Sequence, residues 1–251
     1  MKKILRNKFT RFVYRNIKLT LNYFRYLSDK KQFIASERTT KKRFEIKDEI
    51  KCLDDKTAGT PFDRHYTYHT GWAARVVKEI NPPVHYDISS LLYFSTLVSA
   101  FIPVKFYDYR PAKVNLSGLS SHKGDLNALP FETNSISSLS CMHTIEHIGL
   151  GRYGDKIDYD GDLKAIAELK RVVAPKGNLI FVTPIGMPKL QYNAHRVYSY
   201  NQIISYFTEF ELKEFSLIPD SEELGGIIKN AKPEIADQQN YGCGCFWFIK
   251  K

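Results

Sequence analysis

Cysteine is scarce in this chain. The four present in 251 residues, Cys52, Cys141, Cys243 and Cys245, lack the spacing of an extracellular disulfide framework, and no secretory leader precedes them, so a cytoplasmic location is expected. Long apolar runs are missing as well. The stretch from Ile4 to Leu27 mixes aromatic and aliphatic residues with an Arg or Lys every three to five positions, too charged for the roughly 20-residue apolar run that a membrane span needs. Internal repeats and low-complexity tracts are also absent, which excludes repeat architectures.

Positive charge is plentiful and unevenly placed. The formal net charge is +10, yet residues 1–50 hold 15 Lys/Arg against 5 Asp/Glu, and the rest of the chain carries 22 of each. The basic excess therefore describes an appendage, and the neutral body argues against nucleic acid as a partner. In the appendage Leu5, Phe9, Phe12, Val13, Ile17, Leu21 and Phe24 recur at helical spacing. Such a pattern fits an amphipathic helix lying on an anionic membrane surface or a protein partner, or equally an ordinary solvated helix. Residues 28–60 read as a polar linker, so the expected organisation is a basic arm and linker over 1–60 and one folded domain over 61–251.

With 43% apolar and 14% aromatic residues, the body can bury one sizeable core. Its pattern predicts a helix over 68–80 stopped by Asn81-Pro82-Pro83, a strand over 84–88, and a helix over 91–101 that Ser89-Ser90 can cap. Further strands are predicted over 104–107, 136–142 and 178–183, with a helix over 163–173 and another near 201–207. Runs 211–218 and 244–249 suggest an antiparallel ending. Strands alternating with helices imply an α/β fold, a doubly wound and mostly parallel sheet with an antiparallel C-terminal edge strand.

In such sheets ligands bind beyond the carboxyl ends of the strands, and an acid about 20 residues after the first strand–helix turn accepts hydrogen bonds from a ribose. Asp87 ends the first predicted strand and Asp108 the second, 21 positions on, with Gly124-Asp125-Leu126 before the next. A carboxylate suits a ribose diol because it only accepts. The first turn, Asp87-Ile88-Ser89-Ser90-Leu91-Leu92, has no glycine. Either Ser89 and Ser90 supply hydroxyls and amides to the ligand, or the site has been lost.

Long blocks of the body carry a resemblance. His85-Tyr86-Asp87-Ile88-Ser89-Ser90, Phe106-Tyr107-Asp108-Tyr109-Arg110-Pro111, residues 140–155 with their His143-Thr144-Ile145-Glu146-His147 centre, Asn193-Ala194-His195-Arg196 and Tyr241-Gly242-Cys243-Gly244-Cys245 are similar to the domain of unknown function 268 family. That family looks like a branch of the class I, Rossmann-like methyltransferases. The resemblance implies S-adenosylmethionine as cofactor, with contacts from Asp87, Ser89, Ser90, Asp108, Asp125, Leu126 and His143.

The segment His143 to His147 also spells H-x-x-E-H, a zinc-protease pattern. It directly follows a predicted strand, and Gly149 and Gly151 interrupt any helix there, so a protease site is not expected; methyl transfer needs no metal, and none is assigned. Cys243 and Cys245 should share a face of the last strand, as buried thiols or as a metal pair without a second pair nearby. His195, beyond the fifth strand, is the first candidate general base, with His147 and Glu146 as alternatives, or else a loop anchor. Arg110, Arg152 and Arg196 could hold an anionic group of the acceptor or pair with structural acids. The expected function is methyl transfer to a small-molecule or glycan-like acceptor; the alternative is a non-catalytic scaffold docked through its basic arm.

Overall fold

A computed structural model describes residues 8–36 and 44–251; the beginning of the apolar pattern, Ile4 and Leu5, lies outside the described residues. The chain divides into two units, 1–61 and 62–251.

In the first unit helix α1 (Lys8–Ala35) runs past the point where the sequence suggested a linker. No glycine occurs before Gly59 and no proline before Pro61, and a returning segment supports the extra turns. Tyr26 donates to Glu49 (2.9 Å), Lys30 pairs with the same carboxylate, and Lys56 meets Asp29 at 3.2 Å. Lys18 and Asn22 reach Asp54 at 3.0 and 3.4 Å. These contacts occupy one face; on the opposite face Val13, Ile17, Leu21 and Phe24 are exposed. No described helix is long and apolar enough to cross a membrane.

The second unit opens with α2 (Arg64–Ile80), four residues earlier than periodicity suggested, because the Asp63 side chain accepts the Tyr66 N–H at 3.0 Å and caps it. Asn81 closes it in a left-handed conformation (φ 47°). There follow β1 (His85–Ile88), α3 (Leu92–Val98), β2 (Val104–Asp108), β3 (Leu119–Lys123), β4 (Ile136–Met142), α4 (Gly161–Val172) and β5 (Val173–Ile185). A small hairpin, β6 (Lys189–Gln191) and β7 (His195–Val197), precedes α5 (Tyr200–Tyr206), β8 (Phe210–Ile218), β9 (Ile228–Lys229), α6 (Pro233–Asp237) and β10 (Gly242–Lys250).

The eight-stranded sheet has the order β3-β2-β1-β4-β5-β10-β8-β9. Its first five strands are parallel; β10 inserts antiparallel between β5 and β8, and β9 pairs antiparallel with β8. Alternation along the strands builds two cores. Leu179 and Phe181 of β5, with Phe246 and Phe248 of β10, face α4 and α5 residues such as Leu169 and Ile203. Ile180 and Val182, with Cys243, Cys245 and Trp247, face Trp72, Val76 and Val77 of α2 and Phe94 of α3. A helical layer on each side of a mostly parallel sheet is the doubly wound α/β arrangement. Strand β3 has no counterpart in the sequence reading, because Leu119-Ser120-Ser121-His122-Lys123 carries no apolar alternation; pairing with β2, from Val104↔Leu119 to Asp108↔Lys123, creates it.

Candidate active site

The strand order reverses at β1, which has β2 on one side and β4 on the other, and a crevice forms beyond the carboxyl ends of these strands. It is a cavity of about 400 Å³ whose lining includes Ser89, Ser90, Asp108, Asp125, Leu126 and His143. Six of the seven residues expected at the cofactor therefore meet in one place. The seventh, Asp87, does not line it. Fully buried, Asp87 accepts the Ser140 hydroxyl at 2.6 Å and that of Ser95 as well. Burial pushes its carboxyl up to about 6, against the pull of hydrogen bonds from Ser140, Ser90 and Ser95. His85 continues the network between Ser138 (2.8 Å) and Ser140 (2.9 Å), and burial holds its imidazole down to about 3.

Asp87 thus ties down the turn that follows it. Ser90 does not cap α3, as the sequence suggested: the cap residue is Leu91, with no side-chain bond. The Ser90 hydroxyl accepts the Met142 N–H at 3.1 Å and so clamps the turn to β4. Ser89 has φ 53°, the left-handed conformation for which glycine is the ordinary choice, and a serine there costs on the order of 1 kcal/mol. Its amide donates to Tyr107 O at 2.8 Å. The backbone path expected of a glycine is present without the glycine.

Asp108 ends β2 and accepts the Arg110 N–H through Oδ1 at 2.7 Å; Asp125 accepts the Asn127 N–H at 2.9 Å. A carboxylate has about four lone-pair sites, so each retains capacity for a ligand donor. Arg110 also lines the cavity, with its guanidinium 4.8 Å from the Tyr153 ring centroid. Arg152 and Arg196 instead bind backbone carbonyls, Ala194 O at 3.1 Å and Ile148 O at 2.7 Å, and Arg196 approaches Asp162 at 3.5 Å.

His143, buried at the end of β4, is likewise left-handed (φ 52°). Its Nδ1 is hydrogen-bonded to Glu146 Oε1 at 2.8 Å, and His147 Nε2 lies 3.8 Å from the same oxygen. Residues 145–147 form a single 3-10 turn, so the H-x-x-E-H segment is not a protease helix. Burial raises the Glu146 carboxyl to about 7 and lowers His143 to about 4. Glu146 Oε2 and His195 Nε2 are buried without a hydrogen-bond partner. His147 Nδ1 donates to Ala194 O at 2.6 Å, which leaves the lone pair on Nε2. Of the three candidate bases only His147 lines the cavity; His195 stands behind it, ring centroids 6.4 Å apart, packed on Tyr241 at 4.6 Å.

Sequence reasoning missed several participants. Tyr66 of α2 lines the cavity, its phenol raised to about 12 by burial, and His65 and His69 accompany it. Two histidines four apart on one helix were a readable signal. The loop residues Tyr153, Asp155 and Lys156 also line the cavity; Asp155 folds that loop by accepting the Gly149 and Gly151 N–H groups at 2.8 and 3.3 Å. No local pattern announces them.

Residues 130–227 match the family model described as "Caenorhabditis protein of unknown function, DUF268". No curated protein matches the chain. Among solved structures, the N-methyltransferase NodS from Bradyrhizobium japonicum WM9, in complex with S-adenosyl-L-homocysteine, is similar with a TM-score of 0.51 at 13% identity, covering 74% of this chain and 87% of that one. The YcgJ protein from Bacillus subtilis aligns with a TM-score of 0.48 at 14% identity over 74% of this chain and 99% of its own. A TehB-like SAM-dependent methyltransferase from Corynebacterium glutamicum ATCC 13032 gives 0.47 at 14% identity over 74% and 98%. At such identities the NodS likeness establishes fold. The chain matches the DUF268 model over residues 130–227 and shares a Rossmann-like fold with the NodS structure.

Proposed function

We propose that the protein is an S-adenosylmethionine-dependent methyltransferase acting on a small-molecule or glycan-like acceptor. The observation that carries this reading is the convergence of Ser89, Asp108, Asp125 and His143 on one cavity at the carboxyl ends of parallel strands. Its volume of about 400 Å³ falls within the roughly 300–1,000 Å³ of small-molecule sites. The donor set fits a nucleoside: Asp108 would accept the ribose hydroxyls, Asp125 and Leu126 would meet the base, and the Ser89-Ser90 turn would hold the amino-acid end. Bound there, S-adenosylmethionine supplies a methyl group that bonds to the acceptor heteroatom as the carbon–sulfur bond breaks and its electron pair stays on sulfur.

The remaining work falls to the chain's own side chains. His147 Nε2 would take the acceptor's proton, and its imidazole is kept neutral chiefly by burial. Glu146, near Nε2, would stabilise the resulting cation. His195 would act through His147 and Tyr241 as a positioning residue. Positioning two reactants is worth more here than the base, since effective molarities of well-oriented reactions reach roughly 10⁵ M and above.

Calorimetric titration of the full chain with S-adenosylmethionine and S-adenosylhomocysteine tests the reading. Micromolar binding is expected, weakened at least about tenfold by Asp108→Asn, the worth of a hydrogen bond to a charged group. Absence of binding to the wild type would leave the second reading, a non-catalytic binding protein on this fold. The exposed apolar stripe of α1 supports a docking role in either case, with an anionic membrane surface as the partner: Arg15 and Arg25 are exposed on the same helix.

A further inference from the structure

Five of the chain's seven histidines, His65, His69, His143, His147 and His195, gather around Glu146 and the end of β10. Within that cluster one donor atom each from His65, His143 and Cys243 lie within 4.8 Å of one another. We propose that His65, His143 and Cys243 form a binding site for a zinc-like divalent transition-metal ion, which shares His143 with the wall of the cavity described above and does not require methyl transfer to take place there.

When Glu146 is ionised its carboxylate only accepts, so His143 Nδ1 donates to Glu146 Oε1 and the lone pair stands on Nε2, 3.4 Å from Cys243 Sγ. Zinc bonds of about 2.3 Å to sulfur and about 2.0–2.1 Å to imidazole in a tetrahedron put S and N about 3.5 Å apart, so this edge has the required length. Closing on the ion requires the His65 ring, stacked on His143 with centroids 5.5 Å apart and planes 12° from parallel, to rotate out of the stack as well as approach, since the 4.8 Å limit exceeds a tetrahedral edge. The carboxylate–histidine pair is the arrangement that orients metal-bound imidazoles and raises their basicity. Two imidazoles and a thiolate favour zinc over the oxygen-seeking ions.

A second observation points the same way. His69, fully buried one turn along α2, donates from Nδ1 to His65 O at 2.6 Å, which leaves the lone pair on Nε2, and that atom has no partner. Buried acceptors are seldom left without a donor. Three protein ligands leave a fourth position for water, and a metal-bound water would be a donor of the kind His69 lacks, its ring centroid lying 5.0 Å from that of His143. The competing account of the 3.4 Å contact is an S–H···N hydrogen bond, which needs neither His65 nor an ion. His143 and Tyr66 also line the large cavity, so the metal would sit at its wall.

Metal-stripped full-length protein titrated with Co²⁺ should develop tetrahedral ligand-field bands and a sulfur-to-cobalt charge-transfer band, saturating at one ion per chain and displaced by Zn²⁺. Cys243→Ser and His143→Gln should abolish both bands, whereas Cys52→Ser should leave them. X-ray absorption at the zinc edge of loaded wild-type protein needs no variant, and should give one sulfur at about 2.3 Å with nitrogen or oxygen neighbours at about 2.0–2.1 Å. A sulfur-free or two-sulfur shell, octahedral cobalt, or bands that survive Cys243→Ser would overturn the proposal.

Discussion

A carboxylic acid enclosed by serine hydroxyls, as Asp87 is, has its ionised form disfavoured by burial more than the hydroxyls can restore. Its folded value of about 6 stands above the ordinary 3.8. A raised acid contributes stability that is fully present below the unfolded value and is lost as pH rises through the folded one. Denaturant unfolding of wild type and Asp87→Asn at several pH values should therefore show the wild type losing about 3 kcal/mol relative to the variant between about pH 4 and pH 6–7. A pH-independent difference would mean the network fully compensates burial. Ser89 offers a second test at this scale. Its left-handed backbone is poorly suited to a β-branched side chain, so Ser89→Val should lower stability by about 2 kcal/mol, read from the thermal midpoint.

Among the elements, the loop from Gly149 to Asp160 has the least local signal and the tightest geometry. Gly149 has φ +81°, and a Cβ added there would come within 2.0 Å of Asp158 O, with Gly161 Cα also close. Backbone cannot give way as a flexible side chain does, so Gly149→Ala should destabilise by about 3 kcal/mol and disturb Tyr153 and Asp155 at the cavity wall. Chemical denaturation together with cofactor titration checks both effects; an unaltered midpoint would show that the loop moves freely. The same loop explains a limit of sequence reading. Its fold depends on one carboxylate, Asp155, bonded to three backbone amides, and no periodicity records such a bond.

For the whole molecule, charge is segregated: the arm is basic and the body balanced. If α1 docks on anionic lipid, cosedimentation with phosphatidylserine-containing vesicles should exceed that with zwitterionic vesicles and fall as salt rises, since the screening length shrinks from about 10 Å at 0.1 M to about 3 Å at 1 M. Ile17→Glu with Phe24→Glu should reduce binding severalfold by spoiling the exposed stripe. Equal binding to both vesicle types would remove the membrane from the reading.

Hydrophobic period and strand-end acids were enough to specify an α/β sheet, most of its strands, and the position of Asp108, because these are local signals: alternation follows from the pleat, and an acid at a strand end is placed by the strand itself. What required the tertiary structure was everything joined across the sheet. Pairing alone makes β3 a strand. Only the packed structure turns Asp87 away from the cavity and into a serine network, makes His147 rather than His195 the candidate base that lines the cavity, and brings His65, His143 and Cys243, distant in sequence, within a few ångströms of one another. Contacts of that kind depend on how helices and strands pack, and no window of sequence contains both partners.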